Sequence, residues 1–412
     1  MRATTRAVKE SLARVRAGEE LQPEDAYPLA RAEGADFWAL LDTAGTLRDQ
    51  YKGRVVTYSR KIFIPLTNLC RDTCGYCVFA KRPEEADART MTPEDVLDVA
   101  RAGARQGCKE ALFSLGDKPE LRYPSYRRWL HSQGYETTLA YLRAMCQRVF
   151  EETGLLPHAN PGQMSEGDIA SLRPYNLSMG IMLESVSLRL LRPGMPHHRC
   201  PDKVPRRRLD TIAAAGRQRV AFTTGILIGI GETPEERVDS LCAIRQLHAT
   251  GQHIQEVIIQ NFRAKPGTPM ARHPEPTLTE MLRTIAVARL LMPQMNIQAP
   301  PNLAPREYRW YLQAGLNDWG GISPVTRDWI NPEAPWPKIA ELDSVCRSEG
   351  FTLRERLALY PEYVQEGERW IPPAMRARVA ALVDQTGLVR ETAEGEPLGA
   401  AQAARYDEGG DW

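Results

Sequence analysis

The sequence predicts an α/β fold, a closed barrel of alternating strands and helices with a short helical N-terminal extension. Three observations predict it. From residue 58 onward, short β-rich runs alternate with longer amphipathic runs, the pattern of a parallel sheet. Counting from Lys61 gives eight such units, the number in a TIM-type (β/α)8 barrel. A cysteine-bearing loop follows the first strand, at the end where such barrels build their sites.

Residues 1–57 read as a polar helical extension, with Val8, Leu12 and Val15 on one face. The strands are expected at Lys61–Leu66, Ala111–Leu115, Leu156–Asn160, Leu177–Leu183, Ala221–Gly229, Ile254–Asn261, Asn296–Ala299 and Trp319–Ser323. Helical runs follow near 92–106, 136–152, 165–172, 185–191 with 205–215, 234–249, 277–291, 304–314 and 336–348. The first opens with Thr92-Pro93-Glu94, a cap followed by proline in the first turn. A six-strand open barrel is the alternative architecture. The barrel is taken to span 58–390. The Gly-, Ala- and acid-rich stretch 391–412 is expected to be a flexible tail.

Composition excludes some roles. A net charge of +1 gives no bulk attraction to nucleic acid or an acidic membrane. No run approaches the roughly 18 apolar residues of a membrane span. With no apolar signal segment, the expected location is the cytoplasm, where thiols stay reduced, so the eight cysteines are not read as a disulfide framework.

The segment LCRDTCGYCVFA places Cys70, Cys74 and Cys77 at spacings of three and two intervening residues. Thiolates are the usual ligands of iron–sulfur clusters. Three ligands for a four-iron cube leave one iron open to a cofactor or substrate, by the logic that separates open catalytic sites from closed structural ones. A zinc knuckle would want a fourth ligand nearby, and no His or Cys follows before Cys108. Cys108, Cys146, Cys242 and Cys346 fall in or beside helical runs and read as small buried hydrophobes. Cys200 stands with His197 and His198 in PGMPHHRCPDK, a trio that offers metal-ligand chemistry or a solvated loop.

The Cys-x3-Cys-x2-Cys motif with an aromatic, Tyr76, before its last cysteine resembles that of the radical S-adenosylmethionine (SAM) superfamily. The resemblance implies a 4Fe-4S cluster whose open iron takes the amino and carboxylate groups of SAM. It also assigns cofactor-binding expectations. Gly116 and Asp117, in LGDKPE, stand where the superfamily has a Gly-Gly-Glu-like segment for the SAM amino group, with Asp117 in place of the second glycine. Glu184, ending the fourth strand, is expected to hold the ribose hydroxyls or amino group, or else to be a carboxylate at a helix N-terminus. Gly229, in GILIGIGE, matches the element that packs the adenine. Asn261, Arg263, Asn302 and Asp318 lie near the last strand ends and are expected to meet a hydrogen-bonding substrate.

The phrases TYSRKIFIPLTNLCRDTCGYC, LFSLGDKPE, GILIGIGE, QEVIIQNFRAKP, APPNL and DWGGISPVT closely resemble the CofG-type subunit of 7,8-didemethyl-8-hydroxy-5-deazariboflavin (FO) synthase. The likeness runs from about Val55 to about Tyr363. It implies a lyase of coenzyme F420 biosynthesis. A CofH partner, expected to be a separate protein, joins the hydroxybenzyl group of tyrosine to 5-amino-6-(ribitylamino)uracil. A 5′-deoxyadenosyl radical made from SAM then abstracts hydrogen from the adduct, which closes the deazaflavin ring with loss of ammonia. An external electron donor is implied. No residue is assigned as acid or base. A CofH-like or menaquinone-pathway radical enzyme, and a non-catalytic iron–sulfur or zinc scaffold, are the competing readings.

Overall fold

The computed structural model describes residues 5–392 and Pro397. The expected tail therefore lies outside the described residues except for Glu391, Thr392 and Pro397. Three helices open the chain: α1 (Arg6–Arg16), α2 (Pro23–Ala30) and α3 (Gly34–Lys52). The barrel follows: β1 (Val55–Thr67), α4 (Pro93–Arg105), β2 (Glu110–Leu115), α5 (Pro124–Ser132), α6 (Thr138–Thr153), β3 (Leu156–Asn160), α7 (Glu166–Leu172), β4 (Ser178–Gly180), α8 (Pro205–Arg217), β5 (Phe222–Ile228), α9 (Pro234–Gly251), β6 (Ile254–Asn261), α10 (Leu278–Leu291), β7 (Asn296–Gln298) and β8 (Asp318–Ile322). Then come α11 (Ile339–Ser348), β9 (Thr352–Glu355), α12 (Pro361–Gln365), α13 (Gly367–Trp370) and α14 (Arg376–Leu382).

Strands β1 to β8 pair in parallel with their neighbours, and β8 returns to β1. The ring is closed with eight strands, so the open six-strand alternative does not hold. On β1, Ile62, Ile64 and Leu66 are fully buried beneath the helices. Gly103 of α4 lies so close that a Cβ there would come within 2.7 Å of Ile62. Four βα loops end in reciprocal capping boxes, at Thr92, Ser165, Thr233 and Thr277, which satisfy two orphan backbone donors each. No helix among the described residues is long and apolar enough to cross a membrane.

Two expected helices are not regular. The run at 185–191 is one 3-10 turn, Leu188–Leu191, and 304–314 yields only the 3-10 turns Pro301–Leu303 and Tyr308–Leu312. Helix α3 packs along α10 and occupies the outer layer beside that second connection. Arg48 of α3 donates to the carbonyls of Leu312 (2.9 Å) and Leu316 (3.0 Å), taking the bonds a helix would have made internally. The N-terminal extension is thus part of the helical layer, with Val8, Leu12 and Val15 buried.

The barrel floor is polar and ion-paired. Arg356, just after β9, donates Nε to Asp318 (2.6 Å) and Nη2 to the other Asp318 oxygen (2.8 Å). Tyr360 and Thr223 each donate to Glu256 at 2.7 Å, and the Arg356 guanidinium lies 3.9 Å from the Tyr360 ring centre. Lys61 pairs with Glu110 at 2.8 Å. Beneath this layer Leu357, Leu359, Tyr360, Trp370 and Met375 form a second apolar cluster that plugs the floor.

Two stability predictions follow from these buried groups. Arg356→Met leaves Asp318 buried with its main cation gone, and is expected to lower unfolding free energy by about 3–5 kcal/mol in urea titrations. His158 donates from Nδ1 to Ser178 (2.7 Å), whose hydroxyl donates to Ala358 O (2.8 Å). Burial pulls its pKa from 6.5 to about 4. Between those values the unfolded chain binds a proton that the folded chain refuses. Stability is therefore full above pH 6.5 and falls toward pH 4, by about 3 kcal/mol for such a shift. His253 is lowered to about 4 as well, and burial lowers His197 and His248 too, so His158→Gln should reduce the slope between pH 7 and pH 5 without abolishing it.

Candidate active site

The loop after β1 is built to present its sulfurs. It is pinned by Gly116 N–H to Thr67 O (2.9 Å), Arg71 N–H to Asp117 O (3.0 Å) and Gly75 N–H to Pro196 O (2.8 Å). A Cβ on Gly116 would lie 1.9 Å from Leu69 O and 2.8 Å from Cys70 Cβ, so only glycine fits where β2 meets the loop. Backbone N–H groups point at two thiols: Asp117 N to Cys70 Sγ at 3.3 Å and Ala80 N to Cys77 Sγ at 3.4 Å. Burial pushes the Cys70 thiol up to about 12. A hydrogen bond shared with Cys200, and then burial, push Cys74 up also. As free thiols both keep their protons at neutral pH, and a positive centre is what removes them.

The donor set fits a cluster better than one ion. Sulfurs around a single zinc at about 2.3 Å would sit within about 4 Å of one another. Among the described residues the only trio of His, Cys, Asp or Glu donors gathered within 4.8 Å is Asp72, Asp117 and Asp202. The three cysteines are spread wider than that. The acidic trio is already engaged: Asp202 pairs with Arg71, and Asp117 accepts from Gln163 N–H (3.0 Å) and Lys118 (3.1 Å). Asp117 thus shapes the loop with its carboxylate and gives its N–H to Cys70. Glu120 is also spent, on Thr138 at the start of α6.

Glu184 is the hub of the site. It has φ of 65°, a left-handed conformation rare for glutamate, fixed by main-chain bonds to Gly225 O (2.9 Å) and from Leu227 N (3.1 Å). Its carboxylate accepts from the Tyr76 hydroxyl at 2.6 Å, lies 3.0 Å from His197 Nε2, pairs with Lys203 and has Arg208 at 3.7 Å. Burial alone would raise its pKa, but Lys203 and Arg208 hold it well below the usual carboxylate range. No α-helix begins here, so a helix dipole is not what holds this charge. Sequence reasoning missed Lys203 and Arg208, which stand in the basic run PDKVPRRRL. The one signal was Asp202 within that run, an acid that needs a partner elsewhere.

Above β5 and β6, Leu190, Leu227, Ile230, Phe262 and Met270 pack into a small apolar cluster of their own, with Tyr76 and Met195 against it. Gly229 shapes its wall: φ is 88°, and a Cβ would meet Pro276 at 2.6 Å. Glu232 takes the N–H groups of Gly229 (2.8 Å) and Ile230 (2.9 Å) and pairs with Arg237 (2.7 Å).

The structure brings Asn261, Arg263 and Asn302 together. Asn261 and Arg263 both donate to Leu303 O, at 3.3 and 3.1 Å, and Asn302 donates to Asp328 at 3.0 Å. Buried Asn261 Oδ1, Asn302 Oδ1 and Arg263 Nε have no protein partner. Lys265, in the same polar run after β6, is also buried. Among the described residues its ammonium has no carboxylate within salt-bridge range, and burial lowers its pKa. Asp318 does not belong to this group. It is the first residue of β8, at the opposite end of the barrel, and its carboxylate is bound by Arg356. The expectation for it is corrected: a polar residue beside a short strand has no preferred end until the strand's bounds are known. His197, His198 and Cys200 do not converge. His197 serves Glu184, His198 faces Leu191 O (3.4 Å) and Cys200 lies against Cys74.

Replacing Cys70, Cys74 or Cys77 with Ala should abolish iron and sulfide uptake on anaerobic reconstitution. Gly116→Ala should do so as severely, because the loop has no room to move. Cys108→Ala and Cys346→Ala should retain uptake. Equal loss in all of them would contradict the three-ligand site.

Residues 64–241 match the family model described as Radical SAM superfamily. The chain is 50% identical over 402 residues to an FO synthase of Streptomyces coelicolor, covering 95% of this chain and 46% of that protein. It therefore spans about half the length of such relatives. It is 48% identical over 336 residues to a 7,8-didemethyl-8-hydroxy-5-deazariboflavin synthase of Methanopyrus kandleri, covering 82% of this chain and all of that one. Its barrel is similar to those of methylornithine synthase PylB (TM-score 0.65, 21% identity, 83% of this chain and 97% of that one) and of the FeFe-hydrogenase maturase HydG from Carboxydothermus hydrogenoformans (0.68, 17%, 90% and 87%). Identity of 48% across the whole of the Methanopyrus protein shows that the chain belongs to the FO synthase family, with a radical SAM domain over residues 64–241.

Proposed function

We propose that this chain is the CofG-type unit of FO synthesis. It would close the deazaflavin ring of 5-amino-5-(4-hydroxybenzyl)-6-(D-ribitylimino)-5,6-dihydrouracil with loss of ammonia. The observation that carries this reading is the set of unpaired buried acceptors at the mouth, Asn261 Oδ1 and Asn302 Oδ1. A buried acceptor without a donor costs about 1–3 kcal/mol, and a ribityl chain or uracil N–H supplies such donors.

Cys70, Cys74 and Cys77 are the residues that would hold the 4Fe-4S cluster, and the Tyr76–Glu184 pair with the apolar cluster beside Gly229 would receive SAM. When bound, these groups supply reductive cleavage of SAM and a radical able to abstract hydrogen. The chain's own residues bind, orient and keep water out. Leu227, Ile230 and Phe262 exclude water from the adenine side. Asn261, Asn302 and Arg263 orient the polyhydroxylated adduct. Lys265 offers an ammonium with no carboxylate partner to a uracil carbonyl. The adduct would come from a CofH-type unit.

The test is a reconstituted chain given SAM, dithionite and the adduct, with FO fluorescence and ammonia as readouts. Product from the adduct supports the reading. Adduct formation from tyrosine and the diaminouracil would assign the chain to the CofH type instead, and no deoxyadenosine in either mixture would remove both. Lys265→Met and Asn302→Leu should each lower kcat/KM by about ten- to a hundredfold with iron content unchanged.

A further inference from the structure

Barrels of this kind are filled by layers of inward-facing side chains. Here the layers above the floor are not filled. Register sets Phe63 beside Leu112, Ser114 beside Asn160 and Ile258 beside Gln298. Phe63, Leu112 and Ile258 stand two residues after Lys61, Glu110 and Glu256 on their strands, so they share the inward face of those floor residues. Their outward neighbours Ile62, Phe113, Val257 and Ile259 are fully buried under the helices. Phe63, Leu112, Ser114, Asn160, Ile258 and Gln260 are each partly exposed. In a closed ring wrapped by helices, that exposure faces the lumen.

Two lumen residues are held in place by their surroundings. The Phe63 ring stacks on Trp336 of the loop after β8, with centroids 5.0 Å apart and planes 21° apart. Phe63 N–H donates to Thr326 Oγ1 (3.0 Å), and Trp336 Nε1 donates to Thr326 O (3.1 Å). One loop therefore fixes both the ring and its backbone. Gln298 is only 5% exposed, and β8 makes room for its amide. A Cβ on Gly320 would stand 2.2 Å from Gln298 Nε2, and one on Gly321 would stand 1.9 Å from Lys61 Cε. The side chains of Gln298, Gln260, Asn160 and Ser114 have no hydrogen-bond partner among the described residues. A buried amide left without a partner is costly, so the lumen lacks a group that this wall is shaped to meet.

We propose that the lumen is a chamber for the hydroxybenzyl ring of the adduct, with Phe63 as the wall against the ring and Gln298 as the partner of its para hydroxyl. The inference rests on the ring-closing reading above. Chemistry separates the two halves of the adduct. The ribityl chain and the dihydrouracil are polar at nearly every position and suit the mouth at Asn261, Asn302 and Lys265. A phenol ring has apolar faces and one polar substituent. The lumen matches it with Phe63, Leu112 and Ile258 for the faces and neutral amides for the hydroxyl. The nearest charges, Lys61 and Glu110, already pair with each other at 2.8 Å. An amide both donates and accepts, so Gln298 binds the hydroxyl in its protonated form. Phe63 and Gln298 are thereby specificity-determining residues that select a para-hydroxylated ring.

The probes are p-cresol and toluene, which differ only in the para hydroxyl. Each is titrated into the reconstituted chain and followed by ligand-observed NMR. Wild type should bind p-cresol about threefold to tenfold more tightly than toluene. Phe63→Leu should weaken both by about threefold or more and leave their ratio unchanged. Gln298→Leu should erase the ratio and leave toluene bound at least as tightly as before. Neither change removes a side-chain hydrogen bond or an ion pair, so iron content and thermal midpoint should match wild type. Should either variant lose its fold, the wild-type ratio decides alone. Equal affinity for the two probes, binding of neither, or a preference that survives Gln298→Leu overturns the chamber. If FO forms from the adduct while p-cresol fails to bind, the chamber falls and the ring-closing reading stands. If the probes behave as expected and no FO forms, the phenol-selective chamber stands and the ring-closing reading falls.

Discussion

Closure of the barrel through β1 is the constraint on which the site depends. This strand has 13 residues, longer than any other in the ring, because it serves three neighbours. Its first residues pair with β9 and β8, and its last with β2. A strand locked on both edges cannot slip in register without turning its buried face outward. The chain leaves β1 three residues before Cys70. The position of the first thiol is thus inherited from the sheet, and Gly116 on β2's exit fixes it from the other side.

The two ends of the barrel show what the polar interior is for. At the floor every charge is answered: Arg356 by Asp318, Lys61 by Glu110, Glu256 by Tyr360 and Thr223. Such groups must be paired because an unpaired buried charge is strongly destabilising. At the mouth the chain stops pairing them. Asn261, Asn302 and Lys265 are buried as deeply as many floor residues, and Asn261 Oδ1, Asn302 Oδ1 and the Nε of half-buried Arg263 have no partner among the described residues. Local conflict of this kind is expected where function has been built in. The stability lost at the mouth is carried by the floor and by the apolar plug beneath it.

The barrel and the cysteine loop were legible because each rests on local pattern. Alternating runs revealed the strands, and Thr92-Pro93-Glu94 revealed a helix start that the capping box confirms. Cys70, Cys74 and Cys77 were legible because their spacing is itself the chemistry. What was hidden depends on contacts between distant segments. That α3 would sit beside the connection after β7 cannot be read from residues 304–314, which carry helical spacing but give their carbonyls to Arg48. Residues 349–390 showed no strand signal strong enough to mark β9, because four residues are too few for a period. Asp318 was placed at the wrong end for a related reason: inward positions are polar at both ends of this barrel.

Glu184 shows why the site could not be completed from motifs. Its partners come from the loop after β1, from the connection after β4 and from the start of α8, and none is close in sequence except Lys203 and His197. Burial penalises its charge, and Lys203, Arg208 and His197 offset that penalty and keep it ionised. The same arrangement makes Tyr76 a mechanical link. Any shift of the cysteine loop moves the tyrosine, the tyrosine moves the carboxylate, and the residue that carries it is bonded through its backbone to β5 beneath the apolar cluster. The cysteine loop and the apolar cluster above β5 are therefore positioned as one unit, while Asn261 and Asn302 stand separately, at the end of β6 and after β7.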